Sequence, residues 1–118
     1  SVTFMAGNIF NDCVSLSSVN ILASLTTLTR TFTGCISLKS IIIPSTITSI
    51  GLYTFSSCTS LRSVEFMHSS VIPTFSAESF RYCRIAEIIA QSEALCNNAA
   101  LGLTYGGATL LTNYRILY

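Results

Sequence analysis

Five cysteines are the side chains best able to do chemistry in this 118-residue sequence. Four of them end Phe-x-x-Cys segments, at Cys13, Cys35, Cys58 and Cys83. Their spacings of 22, 23 and 25 residues fall in the range that is typical of stacked repeats. The fifth, Cys96, lies outside this pattern, and we expect it to be an exposed thiol.

The regular spacing of the four thiols argues against metal and disulfide chemistry. Neighbouring repeats stack about 4.8 Å apart, so the repeated thiols would form a row that points in one direction. Zinc takes its four ligands from tetrahedral directions, and a disulfide needs two Cβ atoms that face each other at short range. We therefore predict a buried ladder in which cysteine packs as a small hydrophobe, with no metal and no cofactor.

Acid–base catalysis has few candidate residues, because the sequence contains one histidine, one aspartate and four glutamates. His68 follows a predicted strand, and we interpret it as a solvated loop histidine. Asp12 directly precedes a repeated cysteine, which favours a side chain that forms a turn. The glutamates show no paired spacing, and the glycines lack the pattern of a phosphate-binding loop. We predict that the chain is not an enzyme.

Composition excludes two further classes of partner. Half of the residues are hydrophobic and 9% are charged, with a net charge of +1, whereas a typical soluble domain has about 25% charged residues. The scattered basic residues provide no field that would attract nucleic acid, and no apolar run reaches the ~18 residues that span a bilayer. The start of the sequence has neither a Met nor a basic leader, which is typical of a processed or excised piece.

The elements that position the cysteines are short strands. A Leu follows each of the first three repeated cysteines by three residues, and a Val or Ile follows three residues later. The segment Leu38 to Ile43 ends in alternating, β-branched residues, which predicts a strand that Pro44 stops. Gly51 then permits a turn in the returning arm. A single unit of this size buries too little apolar surface to fold alone, so the units must stack.

The whole pattern resembles a known family. The segment from Ile43 to Val64, with its Ile-Pro, Ile-Gly, Phe-x-x-Cys and Leu-x-x-Val elements, is similar to the BspA-like leucine-rich repeat. The resemblance implies an α/β-type repeat solenoid, coiled right-handed, with a short parallel β-sheet on its concave face. It covers about four repeats of 22–25 residues in residues 1–90, and it implies a role in surface adhesion and protein binding.

Residues 91–118 are predicted to be a C-terminal cap or a divergent final repeat. The composition shifts to Ala, Glu and Arg between Ala77 and Ala100, which favours a capping helix there. One side of that helix would hold Phe80, Cys83, Glu87, Ile88, Leu95 and Cys96. Gly106 and Gly107 lie between apolar runs, a pattern that predicts a tight hairpin.

The side chains between the inward strand positions form the predicted binding surface. Stacked repeats would place them in three rows: Ser17, Lys39 and Arg62; Ser18, Ser40 and Ser63; Asn20, Ile42 and Glu65. From these we select Ser18, Asn20, Lys39, Ser40, Ile42, Arg62, Ser63 and Glu65 as candidate protein-binding residues. Their charges would complement a protein partner, with Ile42 as an apolar anchor. The alternative is that the rows are only the solvated face of a sheet.

The sequence therefore predicts a non-catalytic protein-interaction or adhesion module of a leucine-rich-repeat surface protein. The alternative is a structural subunit that assembles with itself, into a filament or scaffold, by stacking through the ends of its solenoid. We expect the module at the cell surface or outside the cell. The alternative is an intracellular scaffold, which unpaired cysteines would favour.

Overall fold

The computed structural model describes residues 2–4, 10, 12–17, 19–21 and 25–116. In this part of the chain, short strands are followed by a longer strand, a helix and a final strand. The elements are β1 (Val2–Phe4), β2 (Val19–Ile21), β3 (Thr27–Leu28), β4 (Ser40–Ile43), β5 (Ser49–Ile50), β6 (Ser63–Phe66), β7 (Thr74–Phe75), β8 (Arg84–Ala90), α1 (Glu93–Tyr105) and β9 (Thr109–Ile116).

Strands from equivalent positions of successive repeats pair side by side. The largest sheet has the order β4-β6-β8-β9, a second has the order β3-β5-β7, and β1 pairs with β2. Every strand pair in these sheets is parallel. Inward and outward positions alternate along β4, where Ile41 and Ile43 are buried and Ser40 and Ile42 are exposed. Parallel strands in sheets and one helix are what a leucine-rich repeat fold of the α/β type requires.

The Phe-x-x-Cys segments form the turns that lead into the large sheet. In each turn the cysteine N–H donates to the carbonyl of its own phenylalanine, at 3.1–3.2 Å. The four rings stack between repeats, with centroid distances of 6.0, 5.2 and 4.8 Å along Phe10, Phe32, Phe55 and Phe80. The predicted packing role of the repeated Phe-Cys pair is therefore what the structure shows.

Left-handed dihedral angles recur at two backbone positions of the described Phe-x-x-Cys turns. One directly precedes the cysteine and is occupied by Asp12, Gly34, Ser57 and Tyr82, with φ between 59° and 76°. The other lies two residues before the phenylalanine and is occupied by Arg30, Tyr53 and Glu78, with φ between 52° and 65°. Only Gly34 among these seven avoids the steric cost of a Cβ in this region. The turn role predicted for Asp12 is confirmed.

The fourth repeat is one residue shorter between Cys83 and Ile85 than the earlier repeats are between cysteine and leucine. The register of β8 on β6 is nevertheless uniform, from Ser63 beside Glu87 to Glu65 beside Ile89, so the missing residue falls before the paired part of β8. Ile85 and Ile88 are therefore fully buried at the inward positions. The one register shift in this sheet separates Ile85 from Glu87 in the pairing of β8 with β9, as in a β-bulge.

The prediction for the C-terminal quarter was wrong in two respects. The helix begins at Glu93 rather than near residue 77, and residues 84–90 form β8, because Ile85, Ile88 and Ile89 fill a buried sheet position. Phe80 and Cys83 lie in a repeat turn, so the six residues assigned to one helix side are not all helical. Gly106 and Gly107 end the helix and do not form a hairpin, because β9 pairs parallel to β8.

Helix α1 takes the place that short strands occupy in the earlier repeats. Ser92 caps its first turn by accepting a 3.2 Å hydrogen bond from the Leu95 N–H at its side-chain oxygen, which satisfies a donor that the helix leaves unpaired. Gly102 lies against the ring of Phe75 in β7, where a Cβ would overlap the ring. The buried side of the helix consists of Leu95, Cys96, Ala99 and Leu103.

Candidate functional site

The outer face of the β4-β6-β8-β9 sheet holds four of the eight residues that were selected from the sequence. Ser40 and Ile42 are exposed on β4, while Ser63 and Glu65 are half-buried on the neighbouring β6. Ser40 lies beside Ser63, and Ile42 lies beside Glu65, in the parallel register. We call the outward-facing residues of these four strands the sheet face.

Two rows run across the whole sheet face. One consists of Ile42, Glu65, Ile89 and Arg115, and the other of Ser40, Ser63, Glu87 and Asn113. Sequence reasoning missed the four members on β8 and β9, because the fourth repeat is one residue short and residues 109–116 were assigned to a hairpin. The signal that was available is the spacing of Ile85 and Ile88, which equals that of Leu61 and Val64.

Glu65 is the acid at the centre of one row. It is half-buried between Ile42 and Ile89 in the row, and it has no hydrogen-bond or ion-pair partner among the described residues. The carboxylate of Glu87 differs, because it accepts a 3.4 Å hydrogen bond from the Ser63 hydroxyl. The Glu65 carboxylate is therefore available to a donor or a cation from a binding partner.

The two selected basic residues, which directly precede β4 and β6, differ in how their charged groups are engaged. Lys39 is exposed and makes no ion pair within the described part of the chain. The Arg62 guanidinium donates to the carbonyls of Thr59 and Leu61 in its own turn, at 2.9 and 3.4 Å. The charge of Arg62 therefore lies at the rim of the sheet face, and Glu65 is the charged side chain near its centre.

Two selected residues lie away from this arrangement. Ser18 falls outside the described residues. Asn20 belongs to β2, which pairs with β1 and contacts β4 without joining its hydrogen-bonded sheet. Ser17, which the sequence placed in one row with Lys39 and Arg62, is exposed just before β2. The described ladder of the sheet face therefore begins at β4.

Three members of the cysteine ladder are buried and the first, Cys13, is half-buried. Cys35, Cys58 and Cys83 donate to the carbonyls of Phe10, Phe32 and Phe55, at 2.8, 3.0 and 3.0 Å. Burial raises the pKa of the Cys35 thiol to about 11 and that of Cys83 to about 12. Burial likewise raises the pKa of Cys58, with further contributions from the neighbouring cysteines. These thiols stay protonated near neutral pH and are poor nucleophiles.

Cys96 and His68 are both less accessible than the sequence predicted. Cys96 is fully buried against β8, because it lies on the inner side of α1, and burial raises its thiol pKa. His68 is 4% exposed rather than solvated. Its Nε2 donates to the Ile47 carbonyl at 2.8 Å, and its Nδ1 has no hydrogen-bond partner. His68 therefore packs between repeats, against Ile47 and Phe66.

An open pocket of about 390 Å³ lies on the C-terminal part of the described chain. It lies between the ends of β8 and β9 and the first turn of α1. Its lining consists of Gln91, Ser92, Glu93, Tyr114 and Ile116. The Ser92 hydroxyl is already engaged as the helix cap. Within the described part of the chain, no group of three or more His, Cys, Asp or Glu side chains is placed to hold a metal ion.

A comparison with protein-family models assigns the chain to a family. The model described as "BspA type Leucine rich repeat region" matches residues 1–99, in six copies. The chain belongs to the BspA-type leucine-rich repeat family. Neither a curated protein nor a solved structure matches it.

The family carries general expectations for this repeat protein. Leucine-rich repeats generally mediate protein interactions and are generally non-catalytic. Repeats of the BspA type typically lie on bacterial surfaces. In the described part of the chain, no helix is both long and apolar enough to cross a membrane.

Proposed function

We propose that this BspA-type repeat protein is an interaction or adhesion module that binds a protein partner through its sheet face. The face would be the concave side of a right-handed solenoid, a shape that parallel strands from successive repeats favour. Residues 1–90 would form the solenoid, and residues 91–118 its cap or divergent final repeat. The partner would meet the module at the cell surface or outside the cell.

The observation that carries this proposal is the row through Glu65. It alternates between an exposed apolar side chain, an acid without a partner, a covered apolar side chain and a base. Ile42 is 51% exposed and would be the apolar anchor. Glu65 would receive a Lys or Arg of the partner, with Lys39, Ser40, Arg62 and Ser63 at the rim. Asn20 and Ser18 would extend the contact beyond β4. Such a pattern of anchor and charge gives specificity to protein interfaces.

A photo-crosslinking residue at position 42 tests this proposal in cells that produce the protein. The expected result is a small set of covalent adducts of defined mass, which a second change, Glu65→Lys, abolishes. The matched control carries the crosslinker at the exposed Thr48, beside the β3-β5-β7 sheet. Identical adducts from positions 42 and 48, or adducts that persist with Glu65→Lys, would contradict the proposal. Circular dichroism verifies that each variant folds.

The second candidate is a structural subunit that assembles with itself through the ends of the repeat stack. Its support is the low charge of the chain, 9% of residues, which gives little repulsion between copies. Negative-stain electron microscopy distinguishes the two, because fibres with a fixed axial repeat require end-to-end stacking. The five free cysteines support an intracellular scaffold as the alternative location.

A further inference from the structure

The sheet face changes in chemical character along its strands, and the strand starts are basic. Lys39 directly precedes β4, Arg62 directly precedes β6, and Arg84 is the first residue of β8. All three residues are exposed, and none makes an ion pair within the described part of the chain. Arg62 uses one guanidinium nitrogen, Nη1, for both of its hydrogen bonds, so other N–H donors remain available. Three cations without an ion-pair partner, on neighbouring strands, attract an anionic group.

The middle of the sheet face is acidic. Glu87 lies beside Ser63 in the register of β8 on β6, and Glu65 is two residues beyond Ser63 on β6. The two glutamates are therefore diagonal neighbours on the same face, and both are half-buried. Neither forms an ion pair among the described residues. Two carboxylates placed in this way are both stabilised by cationic groups that approach the face.

The strand ends of the sheet face are apolar. Ile42, near the end of β4, is 51% exposed, and Met67, which directly follows β6, is 40% exposed. The Met67 N–H donates to the Ile43 carbonyl at 3.0 Å, which holds Met67 beside the end of β4. The two exposed apolar side chains therefore lie at the same end of the sheet face, where burial against an apolar group of a partner would be favourable.

The spacing of these three zones is that of an extended chain. The Arg62 guanidinium donates to the Leu61 carbonyl, which is two residues before the level of Glu87 on β6. Glu65 and Met67 follow at two further intervals of the same length. Each interval is about 7 Å, because a strand rises about 3.3 Å per residue. Alternate side chains of an extended peptide point to one side at the same interval, so a segment laid along β6 would present a side chain to each zone in turn.

We propose that the protein partner contributes an extended segment whose alternate residues are acidic, basic, basic and apolar, in the order Asp-x-Lys-x-Lys-x-Leu. Its acid meets the basic strand starts, its two bases meet Glu87 and Glu65, and its apolar residue packs on Ile42 and Met67. Such an order gives specificity, because exchange of an acid with a base places like charges together. This segment belongs to the partner of the proposed sheet-face interaction, and its chemistry rests on that proposed function.

Two synthetic peptides of the same composition test this order, by fluorescence anisotropy with the whole chain. One contains Asp-x-Lys-x-Lys-x-Leu and the other contains Lys-x-Asp-x-Lys-x-Leu, with serine at each x. The first is expected to bind at least about tenfold more tightly, because the second places like charges together at two positions.

A charge exchange at Glu65 tests where the peptide binds. Glu65→Lys is expected to weaken the first peptide at least about tenfold, and a third peptide, Asp-x-Lys-x-Glu-x-Leu, should recover the lost affinity. The matched control is Glu78→Lys, which makes the same change of charge at an exposed ion pair in a repeat turn. It should leave the dissociation constant within about twofold of the wild-type value. Circular dichroism verifies that both variants fold.

Several outcomes overturn the inferred segment. Equal binding of the first two peptides, or binding of neither, contradicts it. So does an affinity that Glu65→Lys leaves unchanged or that Glu78→Lys weakens equally. Failure of the proposed function is a separate result: adducts from position 42 in cells, with neither peptide bound, would keep the sheet face as the binding surface and give its partner another chemistry. A sheet face that forms no specific adduct and binds no peptide contradicts both.

Discussion

The repeated turns and the strand-helix-strand unit of residues 84–116 are stabilised by different kinds of contact. From Phe10 to Cys83 the same contacts recur in each repeat: a stacked ring, a thiol bonded to a carbonyl, and left-handed turn residues. Residues 84–116 contain one register shift between β8 and β9, one helix cap and one glycine packed on a ring, each used once. The repeated region spreads its stability over many equal contacts, whereas the C-terminal unit depends on single ones.

Loss of one ring should affect the repeated region most. Phe55 is fully buried between Phe32 and Phe80. Phe55→Ala is expected to lower the free energy of unfolding by about 3–5 kcal/mol, because it removes apolar burial and leaves a cavity. Urea unfolding followed by circular dichroism measures the change. Tyr114→Ala, at a 38% exposed ring in the C-terminal unit, is the control and should cost less than about 1 kcal/mol. Equal losses would contradict the comparison.

Alkaline pH should weaken the thiol ladder. Burial raises the pKa of Cys35 from 9.0 to about 11, so the unfolded chain loses this proton before the folded chain does. The stability is therefore intact below pH 9 and falls as the pH rises toward 11, by about 1.4 kcal/mol per pH unit for one such thiol.

The comparison of wild type with Cys35→Ala isolates this contribution. The free energy of unfolding of the variant should fall less steeply between pH 9 and 11, since all other side chains are the same in both proteins. Parallel curves for the two proteins would show that Cys35 ionises as readily in the folded chain as in the unfolded one.

The helix cap tests the C-terminal unit by itself. Ser92→Ala removes the acceptor for the Leu95 N–H and is expected to cost about 1 kcal/mol. Hydrogen exchange should show the loss mainly in α1 and β9, with the amides of the Phe-x-x-Cys turns still protected. Ser45→Ala, in an exposed turn, is the control. A uniform loss of protection along the chain would indicate that the two regions unfold as one unit.

The smallest expected effect is a gain of stability in a turn. Ser57 has φ of 64° at the position where the preceding repeat has Gly34, so Ser57→Gly should stabilise by up to about 1 kcal/mol. The reverse change, Gly34→Ala, should destabilise, because its Cβ would also overlap the Asp12 carboxylate. Thermal unfolding of both variants checks the opposite signs. Two changes of the same sign would contradict the equivalence of the turns.

The sequence predicted the repeated region of the fold better than the C-terminal unit. The Phe-x-x-Cys ladder, the strand at β4 and the register of Ser40 with Ser63 were predicted, because a repeat shows the same environment several times. The positions of β8 and α1 were not, since an apolar run such as Ile85 to Ala90 fits a buried strand and a buried helix equally well. His68 was assigned to solvent, because sequence does not show which loop folds back over the core.

The candidate site was predictable only where the repeat is regular. Lys39, Ile42, Arg62 and Glu65 were selected from their repeat positions. The structure places Ile42 and Glu65 side by side on one sheet, and Lys39 and Arg62 directly before β4 and β6. Ile89 and Arg115 complete the row through Glu65. Ile89 was missed because the fourth repeat is one residue short. Arg115 was missed because the sequence did not show that β9 pairs parallel to β8. The side chain of Arg62 turns toward its own loop, which no spacing rule predicts.

The hydrogen bonds donated by the buried thiols of the ladder all point toward the N-terminal end of the stack, and this bears on the order in which the repeats fold. Each of these thiols donates to a phenylalanine carbonyl in the repeat before it. A ribosome releases the earlier repeat first, so the nascent chain always ends in a turn that has not yet received this donor. We therefore expect each newly synthesised repeat to supply the thiol donor that pairs with the phenylalanine carbonyl of the repeat before it.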